Sequence, residues 1–316
     1  MKILYIAKHG NGHNDDEGAI AYALGLLGHV VTCIDENRVL RTQFRPNRYD
    51  FVLIHKFNSP VKLKELRSMY PVVFWFFDLV ETKTTERSIR DRDRRRMHWM
   101  KQVRASASLG FCTDGDWVEK SKNQKRFPGC DVLQLMQGFD ERLILSVESE
   151  ERQAEKKFDI YFGGTLRNCG RERNQWFKVM SDRYGSGFRH SVEAFREACR
   201  DEVDTNTLAI APPFPVTDRY YSNRVYNFCG YGACLLHPFS KKLDGEYEHD
   251  KEIVFYHSRT DMVDRIDALL KSPEIVLRIK KAAEEKTQQK HLYRHRCERL
   301  IDVVADRFDL NNGETK

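Results

Sequence analysis

Ser222-Asn223-Arg224-Val225-Tyr226-Asn227-Phe228-Cys229-Gly230-Tyr231-Gly232-Ala233-Cys234-Leu235-Leu236-His237-Pro238 reads as an amphipathic helix, a glycine break and a buried strand. Ser222, Asn223 and Arg224 fall in the expected first turn of the helix. Such a turn offers spare backbone N–H groups, the positive end of a helix dipole and a fixed cation, a combination that suits an anion. Gly230 and Gly232 let the chain turn and approach a ligand closely.

The same alternation extends in both directions. Upstream, a strand Phe158–Phe162, a helix near 170–183 and a strand near 206–211 precede the helix expected at 221–229. Downstream, strands at 232–236 and 252–256 lead into helices near 260–271, 274–288 and 291–308. The first half repeats the pattern, with apolar runs at 2–7, 29–34, 50–55, 71–77, 107–112 and 131–136. Helical patterns such as Glu17–Leu27 and Val61–Met69 lie between those runs. Strands alternating with helices predict parallel sheets covered on both faces. The expectation is an α/β protein of two Rossmann-like domains, 1–145 and 146–290, joined through the polar stretch Glu148–Lys157. The last segment, 291–316, carries a helix long enough to cross back to the first domain. Two such domains place a ligand cleft between them, lined by residues that directly follow strands.

Composition agrees with this architecture. A chain of 316 residues, 41% apolar, has room for two cores. Its 32% charged residues and mean hydropathy of −0.63 argue for a soluble protein. No run approaches the length of a membrane span. Met1–Ala7 reads as a first strand rather than a signal peptide. The eight cysteines show no ligand spacing, and Cys33, Cys112 and Cys234 sit inside apolar runs. They are expected to be buried thiols in a reducing cytoplasm. A net charge of +6 and a pI near 8.8 permit a polyanionic partner without requiring one.

Gly163-Gly164-Thr165 follows the strand Phe158–Phe162, and Arg167, Arg171 and Arg173 come next. Glycines there free backbone amides for phosphate oxygens, and arginines add bidentate charge. Alone, the stretch is equally a tight turn with surface arginines. With Ser222-Asn223-Arg224 in the same half, it reads as a diphosphate site. The run Ser222–Pro238 resembles the donor-site helix of nucleotide-sugar glycosyltransferases of the GT-B fold. Within them it is most similar to the spore-maturation-protein-like group and its phage relatives. His237-Pro238 and His291-Leu292-Tyr293-Arg294-His295-Arg296 also resemble that group, the latter its closing His-Thr-Tyr-x-x-Arg segment. As individual side chains, the latter equally suit a solvated, basic helix start. Tyr256-His257 follow a strand and are candidates to line the cleft.

The resemblance implies a nucleotide-diphosphate sugar as co-substrate, UDP-linked, with no resident cofactor and no essential metal. It puts Gly163, Gly164, Thr165, Arg167, Arg171, Ser222, Asn223 and Arg224 on the diphosphate, and Tyr226 and Asn227 on the nucleoside or sugar. Families of this kind often carry a Glu-x7-Glu pair whose later member holds the donor ribose. Here Asn227 takes the later position and Arg219 the earlier. An amide both donates and accepts, so Asn227 can still hold a ribose hydroxyl, whereas Arg219 cannot accept a hydrogen bond.

On the acceptor side, His9-Gly10-Asn11-Gly12-His13-Asn14-Asp15-Asp16-Glu17 follows the first strand and opens the first helix. It is not a G-x-G-x-x-G, which counts against a dinucleotide enzyme. His9, Gly10, Asn11, Gly12, His13 and Asp16 are the acceptor-side candidates, with a plain turn as the alternative reading. His9 and His13 have no clear third ligand for a metal. Asp78 ends the apolar run Pro71–Phe77 and is the candidate general base of an inverting transfer. Burial there would raise its proton affinity, and a helix cap is its alternative role. Asp140, in Gly138-Phe139-Asp140, is read as structural. Asp91-Arg92-Asp93 lies in an expected helix, where i and i+2 face apart. Asp114-Gly115-Asp116 starts another, with Asp114 as cap.

Arg87, Arg90, Arg92, Arg94, Arg95, Arg96, Lys101 and Arg104 surround Trp99, against only Glu86, Asp91 and Asp93. A run of this kind is usually a solvated helix face. Its excess charge also makes Arg87, Arg94, Arg95, Arg96, Trp99 and Lys101 a candidate docking face for double-stranded DNA. Some viral glycosyltransferases of this fold modify hydroxymethylated bases. The functional expectation is therefore sugar transfer to an acceptor hydroxyl, of DNA or else of a glycan or small molecule. A catalytically inactive nucleotide- or nucleic-acid-binding protein of the same fold is the alternative.

Overall fold

The computed structural model describes residues 1–9, 16–55, 57, 59–82, 87–122, 129–144, 158–163, 170–191, 203, 206–211 and 217–310. The chain divides into two compact units. The first comprises Met1–Thr82, Asp91–Glu141 and Tyr293–Lys316; the second comprises Lys83–Arg90 and Arg142–Leu292.

The first unit is a six-stranded sheet in the order β2-β1-β3-β4-β5-β6, with every neighbouring pair parallel. Its strands are β1 (Lys2–Ala7), β2 (Val30–Asp35), β3 (Phe51–Ile54), β4 (Val72–Phe76), β5 (Leu109–Cys112) and β6 (Val132–Gln134). Side chains alternate across a strand. Ile3, Tyr5, Phe51, Leu53, Val73 and Trp75 therefore join one core, while Leu4, Ile6, Val52, Ile54, Val72 and Phe74 join the other. Both faces of β1, β3, β4 and β5 are dry, which is why these strands read as unbroken apolar runs. The helices are α1 (Asp16–Leu26), α2 (Glu36–Val39), α3 (Pro60–Arg67), α4 (Arg87–Ser106) and α5 (Gly115–Lys122).

Cys33 departs from expectation. It lies on the edge strand β2 and is exposed, because only β1 flanks that strand. Cys112 and Cys234 are buried, and the described cysteines are all free thiols.

Gly110 on β5 faces Phe74 of β4 in register. A Cβ there would sit 2.2 Å from the Phe74 ring, so the glycine makes room for the phenyl group. Gly110→Ala should cost about 1–3 kcal/mol by overpacking. Urea unfolding measures this, and Phe74→Leu on the same background should recover most of it.

The second unit is a five-stranded parallel sheet in the order β11-β10-β9-β7-β8. Its strands are β7 (Phe158–Gly163), β8 (Phe188–Ser191), β9 (Asn206–Ile210), β10 (Cys234–Pro238) and β11 (Val254–Tyr256). Its helices are α6 (Gly170–Tyr184), α7 (Arg224–Gly230), α8 (Lys241–Asp244), α9 (Arg259–Leu270) and α10 (Pro273–Lys290). In both sheets the first strand lies between the second and the third. The order reverses there, and such a switch point is where open α/β sheets bind ligands.

The final helix, α11 (Tyr293–Arg307), packs with the first unit. Tyr293, Cys297, Leu300, Ile301 and Val304 form its apolar stripe and join the core around α1. Ala19 and Ala23 on α1 are both fully buried in that core. Among the described residues no helix is long and apolar enough to cross a membrane.

Candidate functional site

In the second unit the chemistry gathers at the carboxyl end of β7. Gly163 is the last residue of that strand. A Cβ on it would lie 2.5 Å from the Tyr161 hydroxyl, so a buried phenol keeps this position small. Phe162, the residue before it, stacks on His190 at 5.5 Å between centroids. The Arg224 guanidinium lies 5.4 Å from the Phe162 ring centre and that of Arg173 lies 5.9 Å from it. Two cations from α6 and α7 thus share one aromatic ring. Arg173 shows its place only in the fold, because nothing in the run of arginines after β7 marks which one turns inward. Gly164, Thr165 and Arg167 lie outside the described residues, and Arg171 is placed only as a backbone position in the first turn of α6.

The helix that carries Arg224 starts later than its sequence suggests. Helix α7 begins at Arg224, with Ser222 and Asn223 ahead of it rather than in its first turn. Asn223 has helical dihedrals and makes no side-chain cap bond. The Ser222 and Asn223 carbonyls accept from Val225 and Asn227 N–H groups, at 3.1 Å each. Gly232 has a φ of 73°, the left-handed conformation that favours glycine, whereas Gly230 is the last helical residue.

Tyr226 does not face a ligand. It is fully buried, and its hydroxyl donates to Glu246 Oε2 at 2.6 Å and lies 2.5 Å from the Tyr221 hydroxyl. Tyr221 bonds the same carboxylate oxygen, and Lys242 Nζ pairs with Glu246 Oε1 at 2.7 Å. His291 Nδ1 lies 3.6 Å from Glu246 Oε2. Burial above all, then the neighbouring Tyr226 and Glu246, pushes the Tyr221 hydroxyl well above its ordinary pKa. Asn227, one residue on, is half-buried.

His237 and Pro238 are the last residues of β10 rather than residues after it. Burial, opposed by the bond to Pro238 and reinforced by the Arg224 charge, holds the His237 pKa down to about 4. The Pro238 carbonyl accepts from Nδ1 at 2.7 Å, so the neutral ring carries its proton there. Tyr256 is buried at the end of β11, while His257 is exposed and stacks on Phe239 at 5.3 Å.

In the first unit Asp78 follows β4, as expected, but it is 40% exposed and pairs with Arg96 Nη2 at 3.1 Å. The desolvation anticipated for it is absent. Arg96 also donates to the Leu79 carbonyl at 2.9 Å, so it braces this loop rather than joining a free basic face. Trp99 is likewise no docking residue. Its ring packs on Phe74 and stacks on Phe76 at 5.1 Å, on the core side of α4. Arg94, Arg95, His98 and Lys101 are exposed on the same helix, and Arg94 pairs with Asp91 at 3.2 Å. The side chain of Arg87 lies outside the described residues.

Asp93 is buried and accepts from the Thr82 N–H at 2.8 Å and from its hydroxyl. Asp114 caps α5 through the Trp117 N–H at 2.9 Å and takes the Val80 N–H at 2.9 Å. Burial raises its pKa against those bonds. Asp93 and Asp114 thus each serve as backbone N–H acceptors within the fold. Among the described residues no group of three or more His, Cys, Asp or Glu could hold a metal ion.

Gly10, Asn11, Gly12 and His13 lie outside the described residues. His9 Nε2 donates to the Tyr5 carbonyl at 3.2 Å, and Asp16 accepts from Gln137 Nε2 at 3.1 Å. Two residues passed over in the sequence stand beside them. His55 follows β3, is 1% exposed, and stacks on Phe77 at 4.1 Å. Its Nε2 lies 3.4 Å from Oε1 of Glu17 in the first turn of α1.

Residues 152–302 match the family described as glycosyl transferase-like. The whole chain has the GT-B fold. It matches sucrose-phosphate synthase from Thermosynechococcus elongatus with a TM-score of 0.68 at 11% identity, covering 98% of this chain and 99% of that one. An α-glucosyltransferase in complex with UDP-glucose and DNA containing an abasic site matches with a TM-score of 0.67 at 10% identity, covering 96% and 99%. The DNA-modifying enzyme β-glucosyltransferase matches with a TM-score of 0.62 at 11% identity, covering 98% and 100%. No curated protein matches the chain in sequence.

Proposed function

We propose that this protein transfers a sugar from a UDP-linked donor to an acceptor hydroxyl, with the donor held by the second unit and the acceptor by the first. The carrying observation is the pair Arg173 and Arg224 on the Phe162 ring beside Gly163. A departing diphosphate gains negative charge, and fixed guanidinium groups stabilise that charge more in the transition state than in the ground state. The family match over this unit supports the reading, as do UDP and UDP-glucose bound in proteins of the same fold.

The acceptor favoured is a hydroxymethylated base in double-stranded DNA. The exposed cations of α4 suit a polyanion. Two proteins of the same fold are described with DNA or with DNA modification. A base inside a duplex must leave the stack before its hydroxyl can react. Free thiols in the described residues suit a reducing cytoplasm.

The test is mass spectrometry of donor turnover. The protein is incubated with UDP-, GDP- and TDP-sugars, with and without hydroxymethylated duplex DNA. A sugar mass added to the modified nucleoside is the expected result. Nucleoside diphosphate released without DNA transfer would keep the transferase and move the acceptor to glycans or small molecules. Silence with every donor would overturn the reading.

A further inference from the structure

We propose that Glu17 is the catalytic base of this transfer and that His55, buried behind it, takes up the proton and positions the carboxylate. This rests on the glycosyltransferase reading above. The argument starts at Trp75, whose carbonyl can only accept. His55 Nδ1 lies 2.8 Å from that oxygen and must therefore carry a proton. The neutral ring then presents a bare Nε2 toward Glu17 Oε1 at 3.4 Å. With Glu17 ionised, two acceptors face each other in a buried place, and binding one proton relieves the repulsion.

The placement matches the role. His55 follows β3 and Glu17 opens the helix after β1. These two strands flank the point where the sheet order reverses. The side chain of His55 is 1% exposed and that of Glu17 is 12% exposed, so the carboxylate is the member that meets solvent. The Tyr5 hydroxyl is buried and has no hydrogen-bond partner among the described residues. Glu17 is the charge that acts most on it. Asp78, already paired with Arg96, lacks this arrangement.

The step balances as follows. Glu17 removes the proton of the acceptor hydroxyl as its oxygen forms a bond to the anomeric carbon. The bond from that carbon to the diphosphate oxygen breaks, and its electron pair leaves with the diphosphate. The proton comes to rest between Glu17 and His55 Nε2, leaving an imidazolium beside a carboxylate.

The experiment follows UDP release from UDP-glucose with hydroxymethylated duplex DNA present, which registers transfer and hydrolysis alike. Glu17→Gln should lower kcat by about 10²–10⁴-fold, the range of a lost general base. The UDP dissociation constant should stay within twofold, because the donor belongs to the other unit. His55→Asn keeps an amide N–H for the Trp75 carbonyl but removes Nε2. It should lower kcat at least tenfold without changing KM for UDP-glucose, a split that a lost strut would not give. An active wild type with Glu17→Gln within threefold of it would overturn the assignment while leaving the glycosyltransferase reading intact. An active wild type with His55→Asn unchanged would overturn the proton partner. A wild type that neither binds UDP nor releases it from UDP-glucose would remove both readings together.

Discussion

Arg224→Ala is expected to lower sugar transfer by about 10²–10³-fold, the loss typical of one group that stabilises developing negative charge. Arg224 is the first residue of α7, and its guanidinium shares the Phe162 ring with that of Arg173. The helix itself is anchored elsewhere, by the buried Val225, Tyr226, Phe228 and Cys229. Removing the arginine therefore takes away charge without taking away the helix. Most of the loss should fall on kcat, because the diphosphate is most negative as it leaves. Arg224→Lys should recover part of it, since a point charge replaces a planar fork. Arg173→Ala should be the milder change if Arg173 supports rather than leads. His237 gives an independent check, because Arg224 is among the groups holding its pKa near 4. In the alanine variant the ring should titrate higher by NMR. Normal turnover with the His237 shift present would show that the arginine was replaced in a folded site and is not the diphosphate ligand.

The fold was legible because both faces of each central strand are buried. Ile3–Ala7, Phe51–Ile54 and Val72–Phe76 are apolar throughout, and that pattern has few alternatives. The edges were harder. Phe188–Ser191 is a short, polar strand on the rim of its sheet, and Cys33 sits in an apolar run that the fold leaves half-covered. The places of Gly163 and Arg224 were readable because one ends a strand and the other opens a helix. Tyr226 was misread. Its partner Glu246 is twenty residues away, and a tyrosine on the buried side of a helix looks the same whether it meets a carboxylate or a ligand. Trp99 misled for a related reason. It stands among cations in the sequence, but helical spacing turns it with Met100 and Val103 toward the core. His55 and Glu17 left a weaker signal, a histidine after one strand and an acid after another. Only the sheet order makes those two places neighbours.

Glu246→Ala is expected to destabilise the second unit by about 3–5 kcal/mol, the cost of breaking a buried charge network from one side. For a unit of this size that corresponds to a fall in melting temperature on the order of 10 °C. The carboxylate is the shared acceptor of the Tyr221 and Tyr226 hydroxyls, and its other oxygen pairs with Lys242. Tyr221 and Tyr226 are both fully buried, so water cannot replace what they lose. Glu246→Gln should fall between the wild type and alanine, since an amide oxygen still accepts from the phenols but carries no charge for Lys242. A melting temperature within 2 °C of wild type for Glu246→Ala would refute the network as a stabilising element. The consequence for function follows from position. Tyr221 directly precedes Ser222, and Tyr226 sits in the first turn of the helix that Arg224 begins. Glu246 therefore ties down the chain on both sides of the turn that holds Ser222, Asn223 and Arg224. Loss of that tie should raise KM for the UDP-sugar at temperatures where the variant is still folded, while Glu17 and His55, in the other unit, stay unchanged.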